Sequence, residues 1–252
     1  MEVPLFVLSA LVTLWGLWRV FPFSTNAFFL RNHNPGVGVV RASVLFALLW
    51  FWFVLQTGAA SDIVGFYTWM YVFLALAILL VAGLRVPMLG MFYPADVVER
   101  GNLAAGIAMG GFALGTAFAF GGALTGEGPG WWVVVAFFFL AYWELRGSMA
   151  LVGRLGQLKD DVRLERDVSA AILLAGVAIS AGLVAGRAAA GDFTGWERDL
   201  PDYLRRVAPI VAIAPVAALA GAYSRFHPRK DAIRLAAAAL LVAGGLLYYF
   251  LT

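Results

Sequence analysis

Glu144 lies in Tyr142-Trp-Glu-Leu-Arg146, inside an otherwise apolar run. A carboxylate in hydrocarbon costs ~2.5–3.5 kcal/mol on insertion scales, so an acid at that depth is usually either partnered or functional. Partnered, Glu144 would snorkel to the near membrane face or meet Arg146, Arg85 or Arg100; functional, it would hold a proton or cation at a polar cavity. Asn102 opens another apolar run. Its amide suits a helix N-cap, or, with the free helix end, an anion or headgroup; capping is the simpler expectation. Arg41 is a third embedded charge. It pairs with an acid, holds a lipid phosphate, or extends its head to the interface, which is the ordinary behaviour of arginine at a helix end.

Other chemistries lack their residues. There is no cysteine, which removes disulfides, thiolate metal sites and thiol nucleophiles. The two histidines, His33 and His227, fall in polar connections, so a bis-histidine haem inside a bundle is excluded. Lys159-Asp160-Asp161 and Glu165 read as a solvated helical extension rather than a metal cluster. Ser180 and Thr116 have no base nearby in sequence, and Gly36-Val-Gly38 lacks the strand and lysine of a phosphate loop. No catalytic residue, metal or cofactor is expected, and the chain does not read as an enzyme.

These side chains must be positioned by membrane helices. Of 252 residues 62% are hydrophobic and 13% charged, against roughly 25% charged in a soluble domain. That balance excludes a soluble enzyme, a nucleic-acid module and a disordered chain. Eight apolar runs, 3–22, 38–56, 64–84, 103–124, 131–150, 169–187, 207–224 and 233–251, approach the ~20 residues a spanning helix needs. The expected fold is all-α: one polytopic transmembrane bundle over 1–252, eight spans arranged as four helical hairpins. The start, Met-Glu-Val-Pro and then an apolar run, lacks a basic region and cleavage site and reads as a retained span.

Basic residues set an expected orientation. The connections after runs 1, 3, 5 and 7, with their flanks, hold Arg19, Arg31, Arg41, Arg85, Arg100, Arg146, Arg154, Lys159, Arg163, Arg166, Arg225, Arg229, Lys230 and Arg234. The opposite side holds Arg187, Arg198, Arg205 and Arg206. Positive charge stays inside, so both termini are expected outside the cytoplasm. On that outer side, Phe193 through Arg206 reads either as a loop or as an interfacial helix with Trp196, Leu200, Tyr203 and Leu204 on one apolar face. Pro209 and Pro215 are expected to kink the following run.

Glycine spacing predicts where helices touch. Gly106/Gly110 and Gly111/Gly115 have the four-residue spacing that lets backbones approach, and Gly176 and Gly182 occupy the sixth run. The glycine-rich second helices of the hairpins, including the last with Gly244 and Gly245, are expected at the centre, with aromatic-rich first helices outside. The alternative is that the glycine faces join copies in a homo-oligomer.

Residues 73–123 align without gaps on 139–189, with 14 of 51 positions identical, where this composition gives about 5 by chance. Phe73-Leu-Ala meets Phe139-Leu-Ala, Glu99-Arg meets Glu165-Arg, and Ala104-Ala meets Ala170-Ala. Two spans per unit make this a parallel repeat. The stretch Glu99-Arg-Gly-Asn-Leu-Ala-Ala-Gly-Ile-Ala-Met-Gly-Gly resembles the signature of the YjfL-like family of bacterial inner-membrane proteins of unknown function. The likeness covers about 64–192, with 1–63 and 193–252 as flanking hairpins; Val168 stands where the first copy has Asn102. The resemblance implies a bacterial inner membrane and a four-span core, and supplies no reaction.

The expected function is that of a small-solute or ion transporter or channel with a polar site near Glu144. The alternative is a non-catalytic scaffold or stress-response protein docking soluble cytoplasmic partners. The lipid bilayer is the certain partner class, a homo-oligomer or a cytoplasmic protein the further ones; nucleic acid is not.

Overall fold

A computed structural model of the chain describes residues 2–20, 34–58, 63 and 65–252. Arg31, His33 and Asp62, and the tail of the first expected run, lie outside the described residues. Among those described, ten helices form: α1 (Glu2–Val20), α2 (Pro35–Thr57), α3 (Phe66–Gly83), α4 (Leu103–Ala123), α5 (Trp131–Leu155), α6 (Leu158–Arg163), α7 (Val168–Ala189), α8 (Trp196–Val207), α9 (Pro209–Arg225) and α10 (Lys230–Leu251). Counting α8 and α9 as one, eight helices are long and apolar enough to cross a membrane. The fold is the expected all-α transmembrane bundle.

Three helix starts have a side-chain cause. Asn34, Asn102 and Asp167 sit in extended backbone and cap α2, α4 and α7: their side-chain oxygens accept from the N–H groups of Val37, Ala105, and Ser169 and Ala170. A cap supplies a partner to an N–H that the helix itself cannot. The last turn of α3, Leu79–Gly83, widens to a π-helix, and a second π-helical segment, Tyr93–Glu99, lies in the connection to α4.

The core is the pair α4 and α7, packed along their length, with α2 against α4 and α10 against α7. Their spans are 83% and 78% buried, against 17% for α10. Small side chains make this possible. A Cβ on Gly122 would collide with the Gly186 carbonyl, and one on Gly182 with the backbone of Gly115. Gly111 faces Ala175, while Gly106 and Gly110 face Gly36 and Ser43 on α2. The first helices lie around this core: α1 on α3, α5 on α7, α9 on α5. The expectation that every glycine-rich second helix is central fails at α10. Gly245 does press on Ser180, but Gly244 faces open space, and Leu240, Leu247 and Phe250 point outward.

Two connections take definite forms. The segment Phe193–Arg206 is not a loose loop: it carries α8, the helical one of the two forms its sequence allows. Its α8 meets α9 at Ala208–Pro209, and together they make a broken span of 30 residues. Proline at that point cannot supply an N–H, so the ladder is interrupted there. The expected apolar face is split: Tyr203 and Val207 are buried, whereas Trp196 and Leu204 are exposed. The segment around Asp160 is not a solvated extension either. Leu158, Asp161 and Val162, at one-face spacing, turn α6 onto the bundle.

Candidate functional site

The two faces of the bundle carry different chemistry. At one, where α1 begins, a cleft of about 360 Å³ opens between α3, the 124–130 turn, α5 and α8. Its wall includes Glu2, Glu127, Asp192, Asp199, Asp202 and the single base Arg206. Hydrogen bonds hold the rim. The Tyr67 hydroxyl donates to Glu2 at 2.9 Å, and the Glu127 N–H donates to Asp192 at 2.7 Å. Asp199 accepts from the Thr194 hydroxyl and from the Thr194 and Gly195 N–H groups, while Arg206 pairs with Asp202 at 2.6 Å. Five carboxylates against one guanidinium give the cleft a field that favours cations.

Tyr203 lines this cleft and connects it to Glu144. Its ring packs on Phe137, which in turn stacks on Trp196 at 5.5 Å. Its hydroxyl donates to Glu144 Oε2 at 3.0 Å. Glu144 is half-buried on α5. At 1.5 Å per residue it stands about 20 Å from the Trp131 end of that helix and about 16 Å from the Leu155 end. This is near the middle of the helix. Among the described residues, no lysine or arginine makes an ion pair with it. The cations considered for it are engaged elsewhere: Arg146 donates to the Tyr142 hydroxyl and the Pro87 carbonyl, Arg100 to Asp96, and Arg85 lies over the Trp15 ring. A carboxylate with one neutral donor can exchange a proton or accept a cation without first breaking a salt bridge.

The sequence-derived candidates are not brought together. Asn102 is buried at the start of α4. Its Oδ1 accepts from Ala105 at 3.1 Å, and its Nδ2 donates to the carbonyls of Val162 at 2.9 Å and Arg163 at 3.3 Å, so the amide is occupied by capping and docking. Arg41 donates from Nε to the Val20 carbonyl at the end of α1, 3.0 Å away. Gly106, Gly110, Gly111, Gly115, Gly176 and Gly182 all face neighbouring helices. No three His, Asp or Glu side chains among the described residues group to hold a metal.

Sequence reading missed the densest polar cluster. Arg234, 1% exposed in α10, pairs with Asp161 at 2.7 Å and Asp167 at 2.9 Å, and donates to the Ser224 hydroxyl at 2.8 Å. Arg225 also reaches Asp161 at 2.5 Å, and Lys230 reaches Asp167 at 3.0 Å. Burial works to push the Asp167 carboxyl up, but the Ser169 hydroxyl, the Ala170 N–H, Lys230 and Arg234 outweigh it and hold the group well below the usual aspartate range. A second buried carboxylate, Asp96, takes Arg100 at 2.9 Å and Arg163 at 3.4 Å. The available signal was Leu158-x-x-Asp161-Val162, which puts the acid on the face of α6 that carries its apolar residues.

The family described as Domain of Unknown Function (DUF350) matches residues 60–189. The chain belongs to this family. The matched segment runs from before α3 to the end of α7, so it contains the α4–α7 core, Asn102, Asp161, Asp167 and Glu144. It excludes Tyr203 and Arg234, the partners that the last hairpin supplies. No curated protein and no solved structure matches the chain.

Proposed function

We propose that this chain is a multi-pass protein of the bacterial inner membrane that takes a proton or small cation from an outward cleft to Glu144, acting as an ion transporter or channel. One observation carries the reading. A half-buried carboxylate at mid-helix accepts a hydrogen bond from a neutral tyrosine, and that tyrosine lines a cleft rich in acids. Intramembrane acids without a cation partner are rare and mark ion and proton pathways. The arginine distribution supports an outward position for the cleft and for both termini. Likeness of Glu99–Gly111 to the YjfL-like signature supports the bacterial inner membrane.

Local geometry also supports descent from a repeated two-helix unit. Gly101 and Arg166 both adopt a left-handed backbone, with φ of 61° and 56°, immediately before the caps Asn102 and Asp167. The caps are thus related by a shift of 65, one less than the identities that set Val168 opposite Asn102. The paired small residues of α4 and α7 support glycine-mediated packing as the unit's joining rule.

The deciding experiment compares wild type with Glu144→Gln in proteoliposomes under imposed proton and monovalent-cation gradients. Wild type should dissipate at least one gradient faster than empty vesicles, and the variant should lose that flux while remaining folded. Equal flux through both proteins would overturn the proposal. A scaffold role has its own support in Leu155, Leu164 and Phe226, exposed apolar side chains beside the folded arginine-rich connections. Capture of a defined soluble partner through residues 154–167, with no Glu144-dependent flux, would favour that role instead.

A further inference from the structure

Between Val3 and Ala95 the chain carries one acidic residue, Asp62, in the connection between α2 and α3. At the other end of those helices it carries Arg19, Arg41 and Arg85. These three converge. The Arg85 guanidinium lies 4.6 Å from the centre of the Trp15 ring, and the Arg19 guanidinium 5.8 Å from the same ring. Arg41 donates to the carbonyl of Val20, the residue after Arg19. The buried Tyr93 phenol ties the group together: burial pushes it up, and Arg41 and Arg85, both close, oppose that rise. Among the described residues, neither Arg19 nor Arg85 forms an ion pair with a carboxylate. The nearby carboxylate Asp96 is engaged by Arg100 and Arg163.

Such a convergence differs from ordinary flanking arginines. Arg19 in α1, Arg41 in α2 and Arg85 just past the end of α3 bring three guanidinium groups together, in a stretch whose one acid between Val3 and Ala95 is Asp62. An exposed apolar strip of α1, with Leu8, Leu11, Leu14 and Trp15, leads away from that spot along the membrane normal. Phosphate is the anion that guanidinium forks bind best, and an indole beside it sits at headgroup depth.

We propose that Arg19, Arg41 and Arg85 bind the headgroup phosphate of one anionic phospholipid, whose acyl chains lie on the Leu8–Trp15 face of α1. Trp15 packs between the guanidinium groups and the glycerol region. The site lies apart from the acidic cleft, and its occupancy does not depend on any ion flux.

The test uses the full chain in detergent, given equimolar phosphatidylglycerol and phosphatidylcholine, with bound lipid read by native mass spectrometry. Wild type should retain phosphatidylglycerol preferentially. Each cation near a membrane surface is worth a factor of about 5 toward anionic lipid, so Arg19→Gln with Arg85→Gln should cut the preference about 25-fold. Arg205→Gln, which removes the same charge from the opposite side, should leave it unchanged. If the double variant fails to fold, Arg85→Lys is read instead: it keeps the charge but loses the fork, and a severalfold loss is expected. Unchanged preference in the arginine variant that folds, or an equal loss in Arg205→Gln, would overturn the proposal. Displacement of the lipid by millimolar inorganic phosphate would also overturn it, by making this a site for a soluble anion.

Discussion

Arg234 and Glu144 are both charges built into spanning helices, and they are treated in opposite ways. Arg234 is almost wholly enclosed and meets two carboxylates and a serine hydroxyl. Glu144 is half-buried and meets a tyrosine hydroxyl. Taking a charge out of water costs several kcal/mol unless partners replace the water. Around Arg234 they do, and the result is a lock joining α6, α7, α9 and α10. Around Glu144 the replacement is partial, and the group is left able to change state. On the proposed function, full pairing marks the structural charge and partial pairing the working one.

The largest expected effect breaks the lock. Arg234→Met removes the buried cation shared by Asp161 and Asp167, leaving them Arg225 and Lys230 at the edge of the cluster, and should lower stability by about 3 kcal/mol, read as a fall in melting temperature in detergent. Acid attacks the same cluster. Asp167 titrates below its ordinary value in the folded chain, so its contribution is complete above the unfolded aspartate pKa of about 3.9 and is lost as pH falls through and below it. Melting temperature should therefore drop on acidification from pH 6 to pH 3, and Asp167→Asn should flatten that limb. Asn102→Ala removes a cap and two docking bonds and should cost about 1–2 kcal/mol by the same measurement. Tyr203→Phe removes one hydrogen bond within the membrane and should cost about 0.6 kcal/mol, while moving the pH at which any Glu144-dependent flux is half-maximal. Smallest of all is the stability effect of Glu144→Gln, which should stay within about 0.5 kcal/mol of wild type because no ion pair is lost and the amide oxygen can still accept from Tyr203. A cost as large as that of Arg234→Met would erase the contrast.

The architecture was legible because its causes are local. Runs of apolar residues fix the spans, and the Gly106–Gly122 series fixes which helix can be embraced on every side. Asn102 announced its capping role by type and position. The bond of Glu144 to Tyr203 and the pairing of Arg234 with Asp161 and Asp167 were not legible, since in each the last hairpin meets a residue about 60 to 70 positions earlier. Composition suggested arginines for Glu144, but Arg146, Arg85 and Arg100 each find nearer acceptors or rings. Around α8 the sequence left a loop and an interfacial helix equally open, because Arg198, Asp199, Asp202, Arg205 and Arg206 alternate with apolar residues; burial of Tyr203 and Val207 against the bundle goes with the helix.

The backbone contact of Gly122 with Gly186, and of Gly115 with Gly182, leaves no side-chain cushion between α4 and α7. Two rods touching bone to bone cannot slide or roll past each other without colliding, so this pair behaves as a fixed keel. On the proposed transport reading, any alternation at Glu144 falls to elements outside this pair, among them the interrupted rod at Ala208–Pro209 that carries its partner Tyr203.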